Sequence, residues 1–419
     1  MHKLLILSGL LVAGCKNPNF CAGNPDNNCN EHEIDAPKQP DGTEALDCTV
    51  AGCGDSGKVC DPGTKACVEC TTTESAACTG TSPVCKNDAC TACVASTDCP
   101  SQACMDTGAC EDPSMVAYVT AGGQGDCLTE ATACGSIALA LVTARPVIRV
   151  SGTLNEAVSI ATGTITLIGD DNGTTTIGST TAGATLLSVS GTSTAVTVRN
   201  ITFAGIASNL YGIAMVANDL SHPPSLALER VNVTAVGGTG IYTTGGTLMM
   251  DRANVAHDGT GGISLSATTF HVRNVFVTDN GNLGGTFGGM LVSQGSGSIE
   301  FATIVNNLGI NDGNSRGLTC ASTTSTVDST LMQGNSNSQW SGSGCAFTYS
   351  NVYPDASPPA GTGNVRMQVT FAGSNDYHLA ANSPMKDIAN PASTVGDDVD
   401  GNSRPQGAVR DIGADELMP

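Results

Sequence analysis

Several side chains in the middle of the chain could act as acid–base catalysts. His257 and Asp258 are adjacent, and a second histidine, His271, follows. An imidazole beside a carboxylate can accept and donate protons near neutral pH. The other candidates combine acidic and basic side chains: Asp251, Arg252 and Arg273. A surface histidine beside an aspartate is commonly an ordinary solvated pair, so the elements that position these residues decide between the two interpretations.

One motif recurs along this part of the chain: an apolar residue, two polar or charged residues, then a small or apolar residue. Its seven occurrences are Val198-Arg-Asn-Ile201, Leu228-Glu-Arg-Val231, Met250-Asp-Arg-Ala253, Val272-Arg-Asn-Val275, Ile299-Glu-Phe-Ala302, Val327-Asp-Ser-Thr330 and Tyr349-Ser-Asn-Val352. Their last residues are 30, 22, 22, 27, 28 and 22 positions apart. The separation of 22 indicates the unit, and longer separations indicate inserted loops. The repeat predicts an all-β solenoid of short strands.

The residues around each motif predict two strands joined by a tight turn. Apolar and polar residues alternate after the motif, as in Val231-Asn-Val233 and Val275-Phe-Val277, which is the period of a half-buried strand. The apolar residues that flank the two-residue insert are three positions apart, so one continuous strand would place them on opposite faces. Asn200 and Asn274 occupy the second insert position, where Asn tolerates turn dihedrals and can bond the same amide one coil away.

Over about residues 115–380 these features resemble the right-handed parallel β-helix proteins, the pectate-lyase-like superfamily, in which such an Asn ladder is common. Polysaccharide lyases of this fold use Arg or Lys as the base and acidic residues as calcium ligands, so the resemblance implies a catalytic groove along the charged turn residues. These residues are Arg199, Glu229, Asp251, Arg273, Glu300 and Asp328, with Arg230 and Arg252 beside them. The alternative is a solvated ladder of compensating charges, because turn residues are polar in any protein.

The aspartates of the repeats do not suggest a pair of catalytic carboxylates. Glycosidases hold two such groups a fixed distance apart, and the aspartates of this region form no distinctive cluster in the sequence. Asp258, Asn280, Asn307 and Asn335 instead share one position, five residues after their motifs. They predict a second ladder of turn residues.

The N-terminus has the features of an export signal. The apolar run Leu4–Val12 is too short to span a bilayer as a mature helix. Leu11-Val-Ala-Gly-Cys15 resembles a bacterial lipobox, which implies removal of residues 1–14 and acylation of Cys15, an anchor of roughly 0.8 kcal/mol per buried methylene. An ordinary secretory peptide is the alternative. At the position after the lipidated cysteine, Asp often signals retention in the inner membrane. This chain has Lys16 there, which implies outer-membrane placement with surface exposure. Residues 15–47 predict a flexible tether.

Cysteine usage also indicates export. Nineteen cysteines less Cys15 leave an even number, which suits disulfides in an oxidising compartment. Twelve lie in the block 48–112, which contains an internal repeat with CxxC pairs and predicts a small, loop-rich stalk stapled by disulfides, its pairing undetermined. The CxxC pairs could instead bind zinc, although the block contains no His. Outside the block, we expect Cys127 to pair with Cys134 and Cys320 with Cys345.

The β-helix is expected over 113–380, with a short amphipathic helix at 136–144 that caps its first coil. The segment 381–419 resembles the closing segment of the choice-of-anchor Q domain. The motifs that carry this resemblance are Asp376-Tyr-His-Leu379, Asn382-Ser-Pro-Met-Lys-Asp387, Asp397-Asp-Val-Asp-Gly-Asn-Ser-Arg-Pro405 and Asp411-Ile-Gly-Ala-Asp-Glu416. Asp415 departs from the family, where an aromatic residue is usual. The resemblance implies surface display and does not imply an activity.

Oxygen-bearing side chains in the C-terminal segment could bind calcium. Asp398, Asp400 and Asn402 alternate around Gly401, and Asp397 lies next to them. This is only half of an EF-hand loop, and a tail packed by Asp–Arg pairing with Arg404 and Arg410 is the alternative. Calcium is therefore the cofactor that this segment suggests.

Composition narrows the function. The net charge of −21 argues against nucleic acid as a partner. Only 4% of residues are aromatic, and Trp340, in a Gln/Asn/Ser/Gly-rich loop, is the best candidate for contact with a ligand. We expect a lipid-anchored, surface-displayed β-helix with a structural, adhesive or binding role and a polysaccharide or protein partner. The alternative is a polysaccharide lyase or glycoside hydrolase on the same scaffold.

Overall fold

The structure, a computed structural model, describes residues 48–53, 57–285, 287–309 and 317–418. The predicted signal peptide, Cys15 and the tether lie outside the described residues. Among the helices of the described part of the chain, none is long and apolar enough to cross a membrane.

The predicted all-β fold is confirmed: residues from Val116 onward coil into a parallel β-helix with three faces. Strands of the first face pair in parallel from one coil to the next. They are Val116–Thr120, Val147–Ser151, Thr164–Ile168, Ala195–Arg199, Ser225–Glu229, Thr247–Ala256, Thr269–Thr278, Ser296–Val305, Thr324–Asp328 and Cys345–Thr348. The second face contains Val158–Ile160, Thr185–Val189, Tyr211–Val216, Thr239–Thr244, Gly261–Ser266, Met290–Ser293, Leu318–Ala321 and Trp340–Gly342.

The third face is joined to the first by the predicted tight turn. Its separate strands are Thr153–Asn155, Thr176–Gly178, Thr202–Ala204, Asn232–Thr234, Leu331–Gln333 and Asn351–Tyr353. The three ten-residue strands of the first face continue into it through Arg252, Asn274 and Phe301, each with φ of 51°. These left-handed residues occupy the second insert position, so the turn lies where the sequence places it.

The strand pairing confirms the first five motif separations and corrects the last. Asn232 pairs with Asn254, and Thr303 pairs with Leu331, in register with their motifs. In the last coil Asp328 pairs with Thr348, and the left-handed residue is Tyr349. The seventh motif is therefore Phe347-Thr-Tyr-Ser350. The predicted register was two residues too late because Tyr349-Ser-Asn-Val352 fits the same loose pattern.

A short helix, Ile137–Val142, covers the first coil as the sequence predicts. Ser136 begins it, and its hydroxyl accepts a hydrogen bond from Leu139 N at 3.3 Å. Ile137 and Ala140 are buried against the coil, whereas Leu139 is exposed. The helix therefore shields the end of a core of buried Val, Ile, Leu and Phe side chains that runs through all coils.

The cysteine block folds as three small units, each closed by two crossed disulfides. The pairs are Cys48–Cys60 with Cys53–Cys67, Cys70–Cys85 with Cys78–Cys90, and Cys93–Cys104 with Cys99–Cys110. Each CxxC therefore joins two units, and all twelve sulfurs are bonded to sulfur, which removes the thiolates that zinc would need. The two disulfides expected further along, Cys127–Cys134 and Cys320–Cys345, are also present.

The last of these units, residues 93–110, packs against the β-helix. Ala103 is fully buried in a cluster with Val116 and Ile168. The Tyr118 hydroxyl donates to Ser101 O at 3.2 Å, and Ser96 N donates to Asp171 Oδ2 at 2.6 Å. We call this part the docked unit. The predicted stalk therefore does not simply extend from the β-helix, because its last unit packs against the coils.

The C-terminal segment, residues 365–418, lies on the third face and covers its later coils. Its apolar side chains form one cluster with those of the β-helix: Phe276, Phe301, Val305, Leu331, Val369, Tyr377, Leu379, Met385, Ala389, Val395, Ile412 and Ala414. Apolar side chains that point outward from this face are buried under the segment. Without the segment they would be exposed to water, so their burial stabilises the attachment. The segment is therefore a second packed layer of the molecule.

Candidate functional site

The most developed cleft of the described residues lies between the docked unit and the first face. Its volume is about 760 Å³. One wall is formed by Cys104, Met105 and Asp106 of the docked unit, and the other by outward side chains of neighbouring coils. The charged turn residues belong to this second wall. Strand pairing aligns four of them in one row: Arg199, Glu229, Asp251 and Arg273. Consecutive members are one strand spacing apart, about 4.8 Å.

Glu229 is the centre of an ionic cluster at the base of the cleft. Its carboxylate lies 3.0 Å from Arg199 Nε and 2.6 Å from Arg230 Nη1, and it also accepts from Arg252 Nη2. Arg199 is buried, because the docked unit covers it: its Nη1 lies 2.7 Å from Cys104 O and 2.9 Å from Asp106 Oδ1. Three guanidinium groups thus share one carboxylate. Their excess positive charge would be destabilising if Asp106 and neighbouring carboxylates did not balance it.

Asp251 forms the second centre. It accepts from Arg273 Nη2 at 2.8 Å, and this ion pair raises the pKa of Arg273. Its other oxygen accepts from Asn274 Nδ2 at 3.0 Å. Arg252 Nη1 also reaches 3.2 Å from Asp397 Oδ2 of the C-terminal segment. The predicted compensation of neighbouring charges is confirmed, but the ladder is partly buried between two other parts of the chain.

The predicted bonding between equivalent amides does not occur at Asn200 and Asn274. Asn200 Nδ2 donates to Asp171 Oδ1 at 3.0 Å, and Asn200 Oδ1 accepts from Arg230 Nε at 2.6 Å. The intervening coils carry Arg at this position, so no amide is available one coil away. The predicted turn conformation is confirmed, because Asn200 and Asn274 both have a left-handed backbone, with φ of 56° and 51°.

The open end of the cleft carries side chains that a ligand could reach. His271 is 40% exposed and lies 3.5 Å from Glu300 Oε1, whereas Arg273 is 39% exposed. Arg230 is similarly accessible, and Met249 adds an exposed apolar side chain on the same wall. His271 Nε2 itself is buried, so the cleft offers chiefly guanidinium groups and an apolar surface.

His257 and Asp258 do not contribute to this cleft. His257 is exposed with a left-handed backbone, whereas Asp258 is fully buried in the predicted second ladder. Asp258 N donates to Asn280 Oδ1 at 2.9 Å, and Asn280 Nδ2 donates to Asn307 Oδ1 at 3.0 Å. The structure therefore does not bring His257, Asp258 and His271 together as an acid–base group.

The four calcium candidates of the C-terminal segment have other partners. Asp398 is fully buried and accepts from the backbone N–H groups of Asp400 and Asn402 at 2.9 and 2.8 Å. Asn402 Nδ2 donates to Asp398 Oδ2, and Asp397 pairs with Arg252. Among the described residues, no group of three or more close acidic, histidine or cysteine ligand atoms contains Asp397 or Asp398. The expected pairing of these carboxylates with Arg404 and Arg410 is also absent from the described contacts, because Arg404 pairs with Glu416 and Arg410 Nε donates to Val395 O.

Trp340, the predicted ligand contact, packs mainly against the end of the β-helix core. Its ring packs against Phe347 with centroids 4.9 Å apart, and it borders the main core. A second cleft of about 550 Å³ does adjoin it, lined by Asn337, Gln339 and Asp355 among others. The indole is therefore partly buried and borders this cleft.

The contacts that build the main cleft have no signal in the sequence. Arg199 and Cys104 are separated by 95 residues, and Asn274 and Asp397 by 123 residues. Repeat spacing aligns residues of neighbouring coils, but it contains no information about what packs outside the coils. The only available hint is the high density of arginine in the charged row.

Comparison with known proteins adds little. No protein-family model and no curated protein matches the sequence. Among solved structures, the crystal structure of pectate lyase Pel9A is similar over 72% of this chain and 96% of its own, with 12% identity and a TM-score of 0.46.

Proposed function

We propose that the protein is a non-catalytic binding protein of the bacterial envelope whose cleft takes a strand of an anionic polysaccharide. The observation that carries this proposal is the charge of the cleft. Its lining includes Arg199, Arg230, Arg252 and Arg273 against the three carboxylates of Asp106, Glu229 and Asp251. The chain as a whole has a net charge of −21. An arginine-rich cleft in such an acidic chain offers guanidinium groups that suit an acidic ligand.

The pairing of the cleft carboxylates supports binding without catalysis. Glu229 and Asp251 each accept hydrogen bonds from arginine side chains, so their oxygens already have cationic partners. A calcium site needs oxygens that are free of competing cations, and these two carboxylates do not offer them. The half-exposed Arg230 and Arg273 instead suit charge-assisted hydrogen bonds to carboxylates of a ligand.

The proposal is tested by incubating the protein with acidic and neutral polysaccharides, with and without calcium, and following both retention and new chain ends. We expect salt-sensitive retention of an acidic polysaccharide and no new chain ends. Retention of neutral polysaccharides alone would contradict the proposal.

Substitution of the two exposed arginines locates the ligand. We expect Arg230→Gln and Arg273→Gln each to weaken retention at least about tenfold, because each removes a charge-assisted hydrogen bond. Affinity electrophoresis in gels that contain the acidic polysaccharide measures the change. The matched control is Arg366→Gln, since Arg366 is an exposed arginine outside the cleft. An equal loss in the control would show that only overall charge matters.

A polysaccharide lyase or hydrolase remains the second candidate because His271 and Arg273 line the cleft and both neighbour Glu300 of the next coil. New or unsaturated chain ends that disappear in His271→Gln would favour it. Chain ends without dependence on His271 would place any activity elsewhere.

We also propose that Cys15 carries the lipid that anchors the protein to the envelope, which the lipobox-like sequence Leu11–Cys15 supports. We expect Cys15→Ala to move most of the protein from the membrane fraction to the soluble fraction. The measurement is fractionation of cells followed by detergent phase partitioning. Cys21→Ala serves as the control, and continued extraction of Cys15→Ala only by detergent would contradict the lipid anchor.

A further inference from the structure

A second cluster of ionisable side chains lies in the C-terminal segment, away from the cleft. His378, Asp400 and Asp415 come from three separate stretches of this segment, and one ligand atom of each lies within 4.8 Å of the others. The contacts between these stretches are made by packing over the third face. The convergence is therefore a product of the tertiary fold.

The orientation of His378 is set by a fourth residue. Asp376 Oδ1 lies 2.5 Å from His378 Nδ1, and Nε2 on the other side of the ring lies 3.1 Å from Asp400 Oδ2. Phe276 contacts the same ring edge-on, with centroids 5.1 Å apart. A carboxylate that holds one ring nitrogen while the other faces further ligands is the usual outer-shell arrangement of a metal-binding histidine.

Asp415 is the unusual member of the cluster because it is buried. It is 6% exposed, and Leu379 N donates to its Oδ2 at 2.7 Å. Among the described residues, no Arg or Lys nitrogen lies within 4 Å of its carboxylate; burial raises its pKa, and the charge of His378 opposes that rise. The carboxylates of Asp376, Asp400 and Asp415 thus surround one imidazole, so the cluster gathers more negative charge than His378 alone can balance.

We propose that His378, Asp400 and Asp415 bind one divalent transition-metal ion of the Zn²⁺ class, with Asp376 orienting the histidine. One imidazole nitrogen and carboxylate oxygens are donors that suit zinc and its neighbours. Three protein ligands leave a fourth position for water. His378 and Asp400 are 37% and 52% exposed, so the ion can enter from solvent. The ion would join three stretches of the segment that covers the third face.

The experiment titrates the full chain, freed of metal by a chelator, with ZnCl₂ and follows binding by calorimetry and the unfolding temperature. We expect one Zn²⁺ per chain and a rise in unfolding temperature with zinc concentration. Asp400→Asn and His378→Gln are expected to weaken binding more than about tenfold, and Asp376→Asn about tenfold to a hundredfold. Circular dichroism checks that each variant is folded, and the side chains of Asp376 and Asp400 are both more than half exposed.

The matched control is a second His–Asp pair on the surface. His222 Nδ1 lies 3.2 Å from Asp219 Oδ2, with both side chains exposed and no third ligand among the described groups. His222→Gln should leave zinc binding unchanged. The proposal is overturned if the full chain binds no Zn²⁺, if Asp400→Asn binds as tightly as the unchanged chain, if His222→Gln is equally impaired, or if only Ca²⁺ binds.

Discussion

Replacing Arg404 by methionine is expected to loosen the C-terminal segment by about 3–5 kcal/mol, because it leaves a buried carboxylate without its partner. The Arg404 side chain has no exposed surface, and its Nη1 lies 3.1 Å from Glu416 Oε2, itself only 1% exposed. The guanidinium also donates to the carbonyl oxygens of Asp411, Gly413 and Ala414. It lies 4.5 Å from the ring centroid of Phe301, so it joins the segment to the β-helix.

Amide hydrogen exchange measures this effect where it occurs. Ile412 N donates to Met385 O at 3.0 Å, and Ala414 N donates to Thr303 Oγ1 at 2.9 Å, so both amides report attachment of the segment. Their protection should fall by about a hundredfold to a few thousandfold. Protection in the core of the β-helix should change much less because neighbouring coils hold each other.

Two comparisons make the result specific. Arg366 is exposed and lies 5.6 Å from the ring centroid of Tyr353, so Arg366→Met should cost less than about 1 kcal/mol. Adding Glu416→Gln to Arg404→Met should recover part of the loss, because neither member of the former pair then carries a charge, while Gln406 N, which donates at 2.8 Å, keeps an acceptor. Unchanged exchange in Arg404→Met would show that apolar packing alone holds the segment.

The parts of the fold that the sequence predicts are those set by interactions between consecutive coils. Such contacts recur at the repeat length, so Asn280 and Asn307 reveal their ladder through spacing alone. The same logic fails at the seventh motif, where a short final coil and the degenerate pattern around Tyr349 shift the register by two residues. Periodicity fixes alignment only where each unit carries a distinctive residue.

The candidate site depends on contacts of a different kind. Asp251, Arg252 and Arg273 could be selected from the sequence because their row is repetitive, but the docked unit that forms the opposite wall could not. Its disulfides join cysteines only 11 residues apart, so they shape the unit locally and carry no sign of where it docks. Arg199 therefore resembles a solvated turn residue in the sequence and is buried in the structure.

Replacing Asp258 by asparagine is expected to stabilise the protein, increasingly so as pH rises. Asp258 is fully buried, and burial raises its pKa well above the usual range. Its Oδ1 accepts from Val236 N at 2.9 Å, whereas Oδ2 has no hydrogen-bond partner. In the next coil, Asn280 Nδ2 donates to Val255 O at 2.9 Å and to Asn307. An asparagine at residue 258 would extend this ladder by one coil, because its Nδ2 could donate hydrogen bonds where Asp258 Oδ2 has no partner.

The pH dependence follows from proton binding. The unfolded chain releases the Asp258 proton near pH 4, whereas the folded chain keeps it to higher pH, so the folded state binds more protons in between. The free energy of unfolding of the unchanged protein therefore falls by up to about 1.4 kcal/mol per pH unit above about pH 4, until the folded-state pKa is reached. Asparagine does not titrate, so the advantage of Asp258→Asn should be small near pH 4 and should grow towards neutral pH.

Urea unfolding over a series of pH values measures this difference, and Asp219→Asn is the opposite control. Asp219 is exposed, and hydrogen bonds from Ser221 and His222 lower its pKa to about 2. Its contribution is present above about pH 4 and is lost as pH falls towards the folded-state pKa, so Asp219→Asn should bring no gain at neutral pH. If Asp258→Asn proved less stable than the unchanged protein at neutral pH, the buried carboxylate would have a favourable partner in solution, and Asp258 would return as a candidate for chemistry.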